Sequence, residues 1–285
     1  MTAAAERLAH QAVDVAAEAA RSVADDLRRA FRSPMTVEHK RDDHDPVTEH
    51  DRRAEQVIRE VIRRRMPHSV VIGEEGGADG AGGAGEVEWY VDPIDGTANF
   101  ANGLAFFCVS VGAVVDGEPV AGAVHDPMTG DMFTASTDGA WLNGQPLQSR
   151  GAAEERRALL LTSYPSARLL QSHGPEALER LGRMIDGYAT VRRVGSAALT
   201  LAHVAAGWAD AAFGVGVNPW DVAAAQLLLR RAGGTYLPLW EAGTTPARDI
   251  DAPGYLAHVA DLNPRLLHDL VAEMPLSLGV ADTAL

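Results

Sequence analysis

A first half of α+β type followed by a second half of α/β type is predicted by three features of the sequence. Apolar residues recur at helical spacing over residues 4–32 and again from Thr48. Short β segments split by turn residues fill 106–142, and strand and helix patterns alternate after residue 146. The predicted division is residues 1–145, with long helices and an antiparallel sheet, and residues 146–285, the α/β half.

Over residues 4–32, Leu8, Ala12, Ala16, Ala20, Val23 and Leu27 line one helix face with charges opposite, which predicts one long amphipathic helix. A second helix begins near Thr48 and carries Ala54, Val57, Ile58, Val61 and Ile62 until Pro67 stops it. Strand patterns follow at 69–73 and 87–92. Between them, 76–85 is a glycine-alanine stretch in which Gly80, Gly82 and Gly85 match GxGxxG. A dinucleotide fingerprint opens a helix directly after a strand; this stretch leads into another strand, so it reads as a flexible loop. From Phe106 to Leu142 the turns Asp116-Gly117, Asp126-Pro127, Thr129-Gly130 and Asp138-Gly139 divide a β meander. After the polar stretch 149–157 come a strand at 158–161, a helix at 176–185, a strand at 190–194, a helix at 196–206 and a strand at 209–213. A helix at 222–232 closed by Gly233-Gly234, and a last helix capped by Asn263 and started by Pro264, complete the pattern.

An apolar share of 46% in 285 residues is ample for a packed core. The formal charge of −14 disfavours a nucleic-acid polymer or an anionic membrane as partner unless bound cations offset it locally. Cys108 is the only cysteine, so no intrachain disulfide forms, and its apolar setting Phe106-Phe107-Cys108-Val109 predicts packing rather than chemistry. With a single cysteine a reducing, cytoplasmic setting is expected; no run is apolar and long enough to span a membrane, and Glu6, Asp14 and Glu18 interrupt any signal-peptide pattern.

The most informative segment runs from Trp89 to Phe100, where an apolar run feeds Asp92 and Asp95 into a turn kinked by Pro93 and Gly96. A strand ending at Val91 would deliver Asp92 at its tip, and the amides of Gly96 and Thr97 would face an anion beside bound cations. An acidic surface turn is the alternative reading. Glu74 in Gly73-Glu74-Glu75 projects from another strand tip, and Asp221 precedes Val222-Ala223-Ala224-Ala225 as a helix N-cap, a position that is structural when it stands alone. Together Glu74, Asp92, Asp95 and Asp221 form an all-oxygen ligand set suited to Mg2+, with no cysteine-histidine cluster to suggest structural zinc.

Gly73-Glu74-Glu75, then WxxDPIDGTxNF from Trp89, then PWDVAAAxLLxxRAGG from Pro219 resemble the inositol monophosphatase family of Mg2+-dependent, lithium-sensitive phosphatases. The resemblance extends to Asp45-Pro46-Val47-Thr48-Glu49-His50-Asp51, matching D-x-V-T-x-x-D, and to Gly195-Ser196-Ala197-Ala198-Leu199. It implies the layered αβαβα sandwich shared with fructose-1,6-bisphosphatase, a homodimer, and two or three Mg2+ per subunit. Glu74, Asp92 and the Ile94 carbonyl would hold the first metal; Asp92, Asp95 and Asp221 would hold the second. Glu74 would help with a third, and Thr97 paired with Asp51 would position or deprotonate the attacking water. Substrate would meet Asp95, Gly96, Thr97, Gly195, Ser196, Ala197, Gly214 and Asp221, with Lys40 and Glu75 nearby.

Alternatives stand beside several of these roles. Thr48 and Asp51 fit a capping box, Gly195 to Ala197 fit a plain helix start, and Lys40 fits a solvated surface lysine. One position departs from the family pattern: seven residues before Asp221, where a glutamate that accepts hydrogen bonds from ring hydroxyls is usual, stands Gly214. The expectation is a small polyol, sugar or related phosphate as substrate, inositol phosphate not the best of them, with glycine making room for a bulkier leaving group. Fructose 1,6-bisphosphate, histidinol phosphate and (bisphospho)nucleosides are alternatives, as is a non-catalytic metal-binding homologue.

Overall fold

The computed structural model describes residues 3–274 apart from 41, 43, 81, 82, 84, 242 and 245–247. The chain opens with α1 (Ala3–Ser22) and α2 (Ala24–Ala30), a hairpin of β1 (Val37–His39) and β2 (Pro46–Thr48), and α3 (Glu49–Arg65). There follow β3 (Val70–Gly73), β4 (Gly77–Asp79), β5 (Val87–Asp95), α4 (Thr97–Ala101), β6 (Cys108–Val115), β7 (Glu118–His125), β8 (Met132–Ser136), β9 (Gly139–Leu142) and β10 (Gln145–Pro146). Next come β11 (Leu159–Thr162), α5 (Ala167–His173), α6 (Pro175–Gly187), β12 (Thr190–Arg193), α7 (Ala197–Ala205) and β13 (Ala211–Val215). The last elements are α8 (Pro219–Arg231), β14 (Thr235–Leu239), β15 (Gly254–His258) and α9 (Arg265–Ala272).

Apart from the two-stranded β1–β2 hairpin, two large sheets and three helical layers stack as αβαβα. The first sheet has the order β10-β9-β8-β7-β6-β5-β3-β4 and the second β12-β11-β13-β15-β14. Strand alternation explains why the first sheet is covered on both faces. Trp89 and Val91 of β5, Val109 and Val111 of β6, and Ala121 and Ala123 of β7 pack on Ala12, Val15, Ala16 and Ala19 of α1 and on Ile58 and Ile62 of α3. The opposite face meets α7 and α8, which also touch the second sheet. Val222, Ala225 and Leu228 of α8 therefore share one core with Phe133 of the first sheet and Ala212 and Leu256 of the second. Leu169 of α5, Ala177 and Met184 of α6 and Leu267 of α9 close the outer side.

Helix α8 lies so close to the first sheet that two strand positions facing it are glycine. A Cβ on Gly122 would stand 2.7 Å from the Ala224 Cα, and one on Gly112 2.8 Å from the Ala223 Cβ.

Several expectations are corrected. The single helix over 4–32 is two helices divided at Val23, where the Ser22 hydroxyl donates back to the Ala19 carbonyl at 2.7 Å and competes with the helical ladder. The strand expected to end near Asp92 runs on through Pro93 to Asp95, with its pairing to β6 interrupted between Asp92 and Asp95. Proline fits there because the ladder asks nothing of its missing N–H. Part of the glycine-alanine loop is a strand: β4 pairs antiparallel with β3, while residues 81, 82 and 84 lie outside the described residues. The last helix has Pro264, not Asn263, at its N-cap.

Candidate active site

Asp92 sits at the start of the β5 bulge, where its Oδ1 accepts from the Ile94 amide at 3.0 Å and folds the chain back on itself. The Ile94 carbonyl lies 3.0 Å from Thr97 Oγ1, whose single proton points to the nearer Asp51. Gly96, with φ of 102°, makes the sharp entry into α4. A side chain there would also crowd the Phe106 carbonyl at 3.1 Å, so glycine is required twice over. Asn99 ties the segment down, its Nδ2 donating to the carbonyls of Phe106 at 2.7 Å and Val194 at 2.6 Å.

Two elements, β5 and α8, bring Asp92, Asp95 and Asp221 together, with one carboxylate oxygen of each lying within 4.8 Å of the others. Asp92 and Asp95 are buried, and Asp221 keeps partial solvent access. Asp221 is not the helix N-cap expected from the sequence: Asn218 holds that position, Pro219 follows, and Asp221 is the third helical residue, accepting from the Asn218 amide at 2.7 Å. Its second oxygen is left for the cluster.

Burial pushes the Asp92 carboxyl well above the ordinary carboxylate range, and the charges of Glu74, Asp95 and Asp221 push it further. Asp221 is raised well above that range in the same way, by burial first and by Asp95 next. For Asp95 burial also wins, against donors from Ser196 and from the first amides of α7. Glu74, on the β3–β4 turn, is raised by burial despite Lys40, and it stands outside the three carboxylates that converge.

Asp51 both caps α3 and pairs with Thr97. Its Oδ2 caps α3, accepting from the Thr48 amide at 2.8 Å and hydroxyl at 2.6 Å, while its Oδ1 accepts from Thr97 Oγ1 at 2.8 Å. Burial lifts its pKa above the usual value. Lys40 is no free surface lysine, since its Nζ donates to Glu74 at 2.8 Å and to Glu75 at 2.5 Å. Burial draws its pKa down, but the two glutamates outweigh that and hold the ammonium firmly protonated.

On the expected substrate side the arrangement differs. The Ser196 hydroxyl and the amides of Ala197 and Ala198 at the start of α7 donate to Asp95, at 2.7, 3.2 and 2.6 Å, so the donors of Ser196 and Ala197 are turned inward onto a carboxylate. Gly195, at φ of 75°, lies beside Asn99 and Gly96. Gly214 leaves no added room for a leaving group: Tyr255, its cross-strand neighbour, brings its ring to 2.6 Å from where a Cβ would stand. That ring stacks on Tyr236 with centroids 5.6 Å apart. Cys108 is fully buried against Asp95 and Ser196, and burial beside that carboxylate pushes its thiol well above the usual value, in keeping with packing.

Sequence reasoning missed Glu55, which is buried under the β3–β4 turn and accepts from the amides of Glu75 and Gly76. Its only signal was a charged residue one turn after Asp51 on the same helix face.

Comparison with known proteins agrees with this geometry. The sequence profile of the inositol monophosphatase family matches residues 9–274. The Nus factor SuhB of Escherichia coli strain K12 is 37% identical over 227 residues, covering 79% of this chain and 84% of that protein. An inositol-1-monophosphatase of Synechocystis is 36% identical over 229 residues, covering 78% of this chain and 77% of that protein. The solved inositol monophosphatase of Anabaena superposes with a TM-score of 0.76 at 32% identity, covering 93% of this chain and 96% of its own. Carboxylates drawn from β5 and α8, an αβαβα sandwich and a profile match through nearly the whole chain lead to one conclusion: the protein belongs to the inositol monophosphatase family.

Proposed function

We propose that this chain is a Mg2+-dependent phosphomonoesterase acting on a small polyol, sugar or related phosphate. The observation that carries the reading is the convergence of Asp92, Asp95 and Asp221 beside a Thr97–Asp51 hydrogen bond. The donor set fits the cation: every group is a hard oxygen, and the carboxylates are close enough to raise one another's pKa, a repulsion that a divalent ion relieves. Glu74, Asp92 and the Ile94 carbonyl would hold one Mg2+, Asp92, Asp95 and Asp221 another, with Glu74 assisting a third. Bound Mg2+ supplies charge neutralisation at phosphate and acidifies a water.

The chain's own residues do the rest. Thr97 Oγ1 donates its proton to Asp51, which leaves its lone pairs to accept from a water and orient it. Asp51, its basicity raised by burial, is placed to accept the proton that Thr97 passes on. The first amides of α4, at Gly96 and Thr97, have no acceptor within the helix and suit a phosphate oxygen. Asp95 and Asp221 border the same space, and Gly195 adjoins it. Lys40 and Glu75 adjust the charge at Glu74.

Gly214 is the reason to place inositol phosphate below other substrates, since no carboxylate stands there to accept ring hydroxyls and Tyr255 fills the place. Fructose 1,6-bisphosphate, histidinol phosphate and (bisphospho)nucleosides are the competing substrates on the same fold. A homodimer, a cytoplasmic setting and inhibition by lithium belong to this reading as family expectations. A second reading, metal binding without turnover, is favoured by the Escherichia coli relative's being named a Nus factor. The intact Thr97–Asp51 pair speaks for turnover.

Phosphate release measured over that substrate panel, with and without Mg2+, tests the proposal. Activity is expected only with Mg2+, and both Asp92→Asn and Asp95→Asn are expected to lose more than about 100-fold, beyond the effect typical of residues one shell out from a metal. Full activity in either variant overturns the metal assignment. A higher kcat/KM for inositol 1-phosphate than for every other substrate overturns the Gly214 argument.

A further inference from the structure

We propose that Glu55, paired with Arg59, is a positioning residue that sets the Glu74 side of the metal site; the inference rests on the metal-dependent reading above. Asp51, Glu55 and Arg59 follow one another at single-turn intervals on α3 and so share a face. Asp51 at the top of that face reaches Thr97. One turn below, the Glu55 carboxylate, 3% exposed, divides its oxygens between two backbone amides of the β3–β4 turn: Glu75 at 2.7 Å and Gly76 at 2.9 Å. One turn lower again, Arg59 donates to Glu55 at 2.8 Å, to the Val71 carbonyl at 3.0 Å and to the Gly77 carbonyl at 2.5 Å.

The turn is shaped to receive this carboxylate. A Cβ on Gly73 would lie 2.4 Å from the Glu55 carboxyl carbon, and one on Gly76 2.7 Å from its Oε1. Glu74 stands between these two glycines. Its amide donates to the Val91 carbonyl at 3.1 Å, next to Asp92, so its backbone is fixed by β5 on one side and by the Glu55 clamp on the other. One rigid helix thus carries the residue that pairs with Thr97 and the residue that seats Glu74, and it sets the spacing between them. A buried ion pair serving stability alone has no need to place both carboxylate oxygens on the two amides that follow a ligand. Every polar partner of Glu55 named here lies on Arg59 or on the Glu74 turn.

The test is Mg2+ binding measured by calorimetry on the full chain, alongside the Mg2+ dependence of phosphate release. Glu55→Gln keeps the size and loses the charge-assisted acceptors; Glu55→Gln/Arg59→Met also removes the cation that would be left unpaired in the core. Both are expected to weaken Mg2+ binding by about 10–100-fold, the range for residues that orient metal ligands. Activity should recover substantially at saturating Mg2+. Arg180→Met, which breaks contacts with Glu176 and the Glu273 carbonyl where α6 meets the end of α9, is expected to lower Tm without moving Mg2+ affinity. Wild-type affinity in either folded Glu55 variant overturns the inference. So does normal affinity in the double variant when the single one is weak, because the effect then comes from the stranded arginine. A wild-type chain that binds no Mg2+ overturns the metal-dependent reading itself, a result distinct from both.

Discussion

Asp51 shows how one side chain carries structure and chemistry together, because its two oxygens answer to different neighbours. Oδ2 is committed to the Thr48 cap and Oδ1 to Thr97, so the cap holds still the oxygen proposed to take part in catalysis. Thr97→Val removes the hydroxyl and is expected to lower kcat by about 10²–10⁴-fold, the usual span for a positioned proton-transfer group. Thr97→Ser is expected to retain most of the activity, and Tm should stay close to wild type in both. Equal activity in Thr97→Val and wild type would sink the role given to the hydroxyl. At this scale the sequence was legible where a residue type was tied to a local motif. Asp92, Asp95 and Thr97 share one turn, and Asp51 sits in a capping box. Glu55 and the inward use of Ser196 and Ala197 were not legible, because each depends on a partner far along the chain that no local pattern names.

At the scale of elements, α8 matters most, since it carries Asp221 and its place is set by the glycines beneath it. Gly122→Ala would force a methyl against the Ala224 Cα. The expected cost is about 1–3 kcal/mol of overpacking, or roughly 2–4 °C of Tm for each kcal/mol in a chain of this order of size. Mg2+ affinity should fall as well, because the helix cannot lift without moving Asp221. An alanine that leaves both Tm and Mg2+ binding unchanged would show that the contact does not set the helix. The helices and the meander were legible from periodicity; the edges were not. β1 is exposed at Val37, Glu38 and His39, so it offers no apolar alternation to read. β14 contains Pro238, which argues against a central strand yet is tolerated here because β14 is the edge of its sheet. α5 is a single short helix capped by Ser166, below the length at which a periodic pattern stands out.

Across the whole molecule, one buried and two half-buried histidines in different layers work against stability at acid pH. His125 in β7, His203 in α7 and His258 in β15 are all held below the ordinary histidine range, each chiefly by burial. A histidine whose folded pKa is depressed adds stability that is complete above its unfolded value of about 6.5 and drains away as pH falls through the folded value. Tm measured at saturating Mg2+ is therefore expected to drop below about pH 6.5. His203→Phe, which keeps the edge contacts with Phe106 and Trp208, should make that drop shallower. Identical slopes for the two proteins would exclude His203 as a contributor.

The glycine-lined face of the first sheet has a further consequence, for the order in which the protein is made. Every strand of that sheet precedes residue 147, whereas α7 and α8, the helices that cover its inner face, begin only at Ala197 and Pro219. During synthesis the sheet leaves the ribosome with one apolar side bare and stays so until α8 follows, a window in which a nascent chain is exposed to misassembly. Asp221 arrives on that same helix, so the event that seals the sheet also completes the carboxylate cluster. A growing chain cannot gather these three carboxylates before it has shut its own core.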